Sequence, residues 1–209
     1  QVDFLEENKD FSMCFHEVNL IHPDNSITED HITKVPVNYE SIEDLAEKGN
    51  YIHTPTVMLR RKNLIFPDEM FLSPVGDYFL YMLLASNGKI GYIKEKMAIY
   101  RVGSGIWSKK SAYEMNIKFA YVFSLLINTN IFSTKIKEIL TKRIHKILSI
   151  YKNQLTVDDL EFIGFNRLSR LIIYSYILEE FRNKTIITDK KKTKTLKHYK
   201  IKLKNLFYK

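Results

Sequence analysis

The sequence predicts a mixed α/β fold, with a partial mixed sheet and flanking helices over residues 1–110 and an all-α extension after it. Three observations carry this. Strand-like runs rich in aromatic and β-favouring residues, such as "FSMCFHEVNLIH" from Phe11 to His22, are confined to the first half. Helix-period segments bounded by caps and stops alternate with them. After Ser111 the strand patterns cease, and only apolar stripes at 3 and 4 spacing remain.

The opening "QVDFLEENKD" reads as a helix with Val2, Phe4 and Leu5 on one face, in a chain that starts without a methionine, as a fragment would. The strand Phe11–His22 follows, then a turn at "PDNS" and an irregular stretch. Ser41 and Asp44 stand at capping-box spacing and Gly49-Asn50 is a stop, so Ile42 to Lys48 forms a short helix. Residues 51–61, "YIHTPTVMLRR", return to strand character, with Pro55 marking an edge or a late start. Tyr78 to Asn87 is helical, and Asn87-Gly88 supplies a left-handed stop. "KIGYI" and "MAIYRV" then read as two short strands. Three helical segments complete the body at 111–128, 134–153 and 157–182. The second carries Ile136, Ile139, Leu140, Ile144, Ile147, Leu148 and Tyr151 as its stripe, and the third carries Leu160, Ile163, Leu168, Leu171, Ile172 and Leu178.

A length of 209 residues with 45% hydrophobic content suits one medium domain, or one domain plus an appendage. The formal charge is +8, and residues 189–209, with nine lysines and the single acid Asp189, account for all of it. A neutral body with a basic tail argues against a nucleic-acid groove across the fold. In "TLKHYKIKLKNLFYK", Leu196, Tyr199, Leu203 and Leu206 recur at helical spacing among lysines, the pattern of a basic amphipathic helix on an anionic membrane; the alternative is a frayed, solvated terminus. The longest near-continuous apolar run, Phe119 to Ile127, falls short of the ~20 residues that span a bilayer, so no transmembrane helix is expected. Cys14 is the only cysteine; it fits a reducing compartment such as the cytoplasm and a buried, inert thiol.

Local motifs for chemistry are few. His16 and His22 fall on one face of a strand but lack a partner at metal spacing, and no Walker loop, GxGxxG or Gly-x-Ser-x-Gly occurs. Asp77 stands alone just ahead of an apolar helix. There the macrodipole favours the ionised carboxylate by about 0.3–1 kcal/mol, which serves a plain helix cap and a catalytic base equally.

Residues 51–110 carry a resemblance. "TPTVMLRRKNL", then "GDYFLYMLLASNGKIGYIKEKMAIYRV", then "GSGIWS" resembles, in order and spacing over about 60 residues, the C-terminal half of the catalytic domain of family 2 glycosyltransferases, which have the GT-A fold. The opening helix and "FSMCFHEVNLIH" match the segment before it. The resemblance implies that Asp77 is the general base taking a proton from an acceptor hydroxyl, and that Arg101, Gly105, Trp107 and Ser108 bind donor diphosphate or sugar. Glycine lets backbone amides approach phosphate, arginine offers a planar fork, and indole a flat face for a sugar ring. Arg101 also suits a surface ion pair and Trp107 a core anchor.

Two departures stand out. Val102 and Gly103 occupy the places after "YR" where many relatives carry a metal-assisting histidine, and no Asp-x-Asp occurs in the 209 residues; Asp158-Asp159 at a helix start is no substitute. The chain therefore reads as the acceptor-side half of the transferase (1–110), a helical extension (111–188) and a basic tail (189–209). A divalent cation, Mg or Mn, belongs to the full-length enzyme with its main ligands outside this chain. The implied partners are a nucleotide-sugar donor, a glycan or lipid-linked acceptor and an anionic membrane surface, and the implied location is the cytoplasm, peripheral on the inner membrane face. The alternative is a non-catalytic binding or membrane-surface module.

Overall fold

The computed structural model describes residues 1–61, 64–105 and 109–185. Along the chain run α1 (Val2–Glu7), β1 (Phe11–Ile21), β2 (Ile27–Glu29), α2 (Ile42–Lys48), a 3-10 turn (Thr54–Thr56), β3 (Met58–Leu59), α3 (Asp68–Phe71), α4 (Gly76–Ala85) and β4 (Lys89–Arg101). Then come α5 (Ala112–Asn128), α6 (Thr134–Ile150), α7 (Val157–Ile163) and α8 (Arg167–Thr185). The fold is mixed α/β, a four-stranded mixed sheet with flanking helices followed by further helices.

β1 is the centre of the sheet. It is buried from Ser12 to His16 without alternation, as a strand covered on both faces must be. One edge takes β4 in parallel, from Phe11 opposite Lys89 to Ile21 opposite Arg101. The other takes β3 (Met13 opposite Leu59) and β2 (Ile21 opposite Ile27), both antiparallel. Among the described residues, nothing pairs with the outer edge of β3.

Several expectations need correction. The two short strands expected after Gly88 are one strand, β4, in which Ile93 lies opposite His16 but Lys96 opposite Glu17. The two extra residues form a bulge, and the exposed stretch Lys94–Met97 around it breaks the apolar pattern. The strand expected over 51–61 shrinks to Met58–Leu59, because Pro55 opens a 3-10 turn where its fixed φ fits and its missing N–H is no loss. β2 went unread because all three of its residues are exposed. Neither Asn87 nor Gly88 is left-handed: α4 stops at Ala85, and Gly88 is needed because a Cβ there would lie 2.8 Å from the Asp10 carbonyl oxygen. In α1, Leu5 is buried but Val2 is 59% exposed, since Gln1 turns inward instead, its amide donating to the carbonyls of Thr56 (2.7 Å) and Cys14 (3.3 Å).

Ser41, Ser111 and Thr156 each close a capping box, and Ser133 caps α6. The expected third long helix is two helices. A Cβ on Gly164 would lie 2.8 Å from the Leu160 carbonyl oxygen, and the Asn166 side chain accepts from the Ser169 amide at the start of α8. The break re-phases the apolar face, so Ile172, Ile173, Tyr176 and Ile177 are buried while Leu168, Leu171 and Leu178 are exposed. One hydrophobic cluster runs from Met13 and Phe15 through α2 and α4 to Ile177. Tyr78 of α4 meets Phe119 and Phe123 of α5 edge-on at 5.6 and 6.0 Å, so the helices after residue 110 share a core with the sheet. No helix of the described residues is long and apolar enough to cross a membrane. The basic tail expected at 189–209 lies outside the described residues.

Candidate active-site cleft

Asp77 is the second residue of α4, not the residue before it; the cap position is Val75, whose side chain has no hydrogen-bonding atom. Seven of the ten residues of α4 are buried, and Asp77, half-buried, is the acid in its first turn. Its Oδ1 accepts from the Tyr78 amide at 2.7 Å and its Oδ2 from the Thr54 hydroxyl at 2.6 Å. Both oxygens are thus fixed, and each keeps a further lone pair.

Tyr81 lies one turn further along α4 and is 1% exposed, and its buried hydroxyl meets no hydrogen-bond partner among the described residues. Burial pushes that hydroxyl well above the usual tyrosine range; the neighbouring Thr54 works against the shift and the Asp77 charge adds to it. It therefore stays protonated beside the carboxylate.

Thr54 is positioned by its neighbour. His53, buried, bonds Asp30 Oδ2 through Nε2 at 3.0 Å, and its ring packs against Tyr100 with centroids 4.5 Å apart. Asp30 also accepts from the amides of Ile32 (2.8 Å) and Thr33 (3.2 Å) and from the Thr33 hydroxyl. Burial alone would raise its pKa, but these bonds outweigh it and hold the carboxyl below its usual range. Residues 53 and 54 therefore tie three separate elements together: the segment after β2, the end of β4, and the N-terminus of α4.

His53 also lines a cleft of about 580 Å³, walled by β1, β4 and residues 29–39, with Tyr51 completing the lining beside it. Phe15 and Tyr92 stack at 5.0 Å in it, and Tyr39 meets Tyr92 edge-on at 5.6 Å. Neither Asp77 nor Thr54 lines the cleft; Asp77 is connected to it only through Thr54, the chain neighbour of His53.

Of the residues singled out in the sequence, Arg101 is the last of β4 and exposed, with Val102 continuing the ladder to the Ile21 carbonyl at 2.9 Å. Gly103 takes a positive φ of 80° and Gly105 is exposed in the loop after it, while Trp107 and Ser108 lie outside the described residues. Arg101 follows Tyr100, whose ring His53 touches, so the strand that carries Arg101 and the helix that carries Asp77 are joined through two residues. His16 and His22 have separate partners: the former bonds the Glu17 carbonyl at 2.8 Å, the latter the Thr28 hydroxyl at 2.9 Å and the face of His31. Among the described residues no three His, Cys, Asp or Glu side chains are grouped to hold a metal. Cys14 is buried and its thiol is pushed up by that burial.

Sequence reasoning missed Thr54, His53, Asp30 and Tyr81. Only Tyr81 had a signal, four residues after Asp77 and so on the same helix face.

No family model matches the chain, and no solved structure matches it. It is similar to uncharacterized proteins of Mycobacterium bovis and of two strains of Mycobacterium tuberculosis, each 30% identical over 123 residues. The matched stretch is 57% of this chain and 34% of each relative, so the chain spans about a third of the length of the curated relatives it matches.

Proposed function

We propose that this chain contributes the acceptor-side half of a family 2, inverting glycosyltransferase, in which Asp77 is the general base. The observation that carries the reading is the setting of Asp77: a half-buried carboxylate at a helix start, immobilised by Thr54 and the Tyr78 amide, with a lone pair on each oxygen left for a substrate proton. In the reaction, the acceptor hydroxyl oxygen bonds to the anomeric carbon of a nucleotide-diphosphate sugar. The bond from that carbon to the diphosphate breaks, its electron pair leaves on the phosphate oxygen, and the hydroxyl proton passes to Asp77. One displacement with one base inverts the anomeric centre. Thr54 fixes the carboxylate in place, so the base works by position, which is where a weakly basic carboxylate gains most.

The described residues do not themselves form a cation site. A magnesium or manganese ion for the diphosphate belongs to a donor-binding part beyond these 209 residues, and no step is routed through it. Two features support such a part. The outer edge of β3 is unpaired among the described residues, and Ile65, Phe66, Phe71 and Leu72, just after it in the chain, are all exposed. With a lipid-linked acceptor, the enzyme would act on the cytoplasmic membrane face, held there by residues 189–209.

The test is Asp77→Asn in the complete gene product, assayed for transfer from nucleotide-sugar donors. The amide keeps the Thr54 contact but takes no proton, and activity should fall by about 10²- to 10⁴-fold. Activity within a few fold of the parent would remove Asp77 as the base.

A further inference from the structure

We infer that the outward face of α8 docks on an anionic lipid bilayer, lying in its surface with the basic end of the chain. On an ordinary surface helix one face packs and the other is polar. α6 follows that rule: Ile136, Leu140, Ile144 and Leu148 are buried, while Lys135, Glu138, Lys142 and Lys146 are exposed. α8 does not. Ser169, Ile172, Ile173, Tyr176 and Ile177 are buried and make its packed face, yet Leu168, Leu171, Tyr174 and Leu178, recurring at three and four on the other side, are all exposed. Leu171 is 50% exposed and Leu178 40%. The polar side chain among them, Ser175, donates its hydroxyl to the Ile172 carbonyl at 2.8 Å, so its proton is placed without water. Between residues 168 and 178 the helix is therefore apolar on two faces, and only one of them is packed.

Charge selects what meets the other. Residues 1–188 are balanced as a whole, whereas beyond Leu178 the chain carries Glu179, Glu180 and Asp189 against eleven lysines and arginines. An anionic bilayer answers both features at once, with acyl chains for the leucines and headgroup phosphates for the lysines that follow them in the chain. A second copy answers only the first, because its own basic end would come to the same helix and oppose the pairing. No helix of the described residues is long and apolar enough to cross a membrane, so the contact is one of lying on the surface. Lysines alone would give attachment that salt abolishes; the α8 leucines add a part that salt does not reach. The inference rests on α8 and on the charge beyond it. Only the further step, that this surface keeps the enzyme at the membrane carrying a lipid-linked acceptor, rests on the proposed function.

The 209-residue chain is sedimented with vesicles of phosphatidylcholine, and with vesicles in which about a third of the lipid is phosphatidylglycerol. Binding to the anionic vesicles should be tighter by about tenfold or more. Each leucine has about half its side chain left to bury, so Leu171→Gln with Leu178→Gln should weaken that binding about ten- to a hundredfold, with the amide spectrum preserved. Salt should weaken the parent and the variant in the same proportion, since the contacts removed are apolar. A polarity-sensitive dye on Leu171→Cys supplies a second measurement where the glutamines disturb α8. Cys14 is buried and leaves the label to the new thiol, whose emission should shift to the blue on anionic vesicles. No binding by the parent, equal binding to both vesicles, binding that the glutamine pair does not weaken, or a dye unmoved by lipid would each overturn the inference. So would a dimer in sedimentation velocity that the glutamine pair dissociates, with no vesicle binding, because the face would then belong to a second copy. Asp77→Asn keeps the two proposals apart: a variant that still transfers sugar removes the base and leaves the lipid surface standing, and a parent that ignores vesicles removes the lipid surface and leaves the base standing.

Discussion

Arg143 of α6 clamps the C-terminus of α2, and removing it should reach the site through the chain. Its Nη1 donates to the carbonyls of Ala46 (3.0 Å) and Glu47 (3.1 Å), its guanidinium carbon lies 4.8 Å from the centre of the Phe123 ring, and burial pushes its pKa below the usual arginine range. Those carbonyls belong to the last turn of a seven-residue helix and have no partner within it. Arg143→Met keeps the stem and removes the donors. Two bonds from a charged donor contribute about 1.5–3 kcal/mol each and the ring contact about 0.5–2, while relief of the buried charge returns several. The net loss should be about 2–4 kcal/mol, or about 4–16 °C in Tm for a chain of this size. Gly49 supplies the control. It sits at φ 90°, ψ −163°, a region only glycine occupies readily, and a Cβ there would be 2.9 Å from Nη2 of Arg143. Gly49→Ala should cost about 1–3 kcal/mol from the backbone alone and more where Arg143 must be displaced. A urea-unfolding cycle over both positions should therefore show coupling of about 1 kcal/mol or more. A loss under about 1 kcal/mol for Arg143→Met, or additive effects, would refute the clamp.

Asp30→Asn should flatten the acid limb of the stability curve. The folded carboxyl titrates below its unfolded value of about 3.9, so its contribution is complete above that pH and disappears as pH falls through the folded value. Urea midpoints from pH 7 down to 2 should converge for the two proteins, and parallel curves would contradict the assignment. Gly91→Ala should destabilise by about 1–3 kcal/mol, because the added methyl would lie 2.3 Å from the Phe4 ring, which must leave its place between α1 and the sheet. Thermal unfolding that matches the parent would show that α1 is not packed there.

Elements whose determinants are local were readable from the residues. The Ser41–Asp44 box fixes α2 within a span of four residues, and β1 shows as a run rich in aromatic and β-favouring residues whose first half is continuously buried. Where solvent or a distant neighbour decides, the signal vanished. The exposed middle of β4 looks like a gap between strands, and the split between α7 and α8 depends on a close contact at Gly164 that spacing does not reveal. The site divides the same way. Asp77 could be picked out because its motif is contiguous. Thr54 and His53 could not, since each meets its partner 23 residues away, Asp77 in one case and Asp30 in the other, from a segment whose β-rich composition imitates a strand.

The segment from Gly49 to His53 has no regular structure to set its path, so its position comes from side-chain anchors placed along it and at Thr54 just after it. Gly49 lies against Arg143, the Tyr51 hydroxyl bonds the Tyr39 carbonyl, His53 bonds Asp30 and packs on Tyr100, and Thr54 bonds Asp77. A shift of one residue would break all of these together, which is how an irregular segment acquires the rigidity that holds the Asp77 carboxylate in place. The first anchor is on α6. The helices after residue 110 are therefore part of what holds the site, both through the shared core beneath α4 and through Arg143 at the start of the segment that ends on Asp77. Damage to α6, far from Asp77 in the chain, should appear at the carboxylate as a lost Thr54 contact before it appears as a lost fold, because the segment has fewer contacts to give up than the core does.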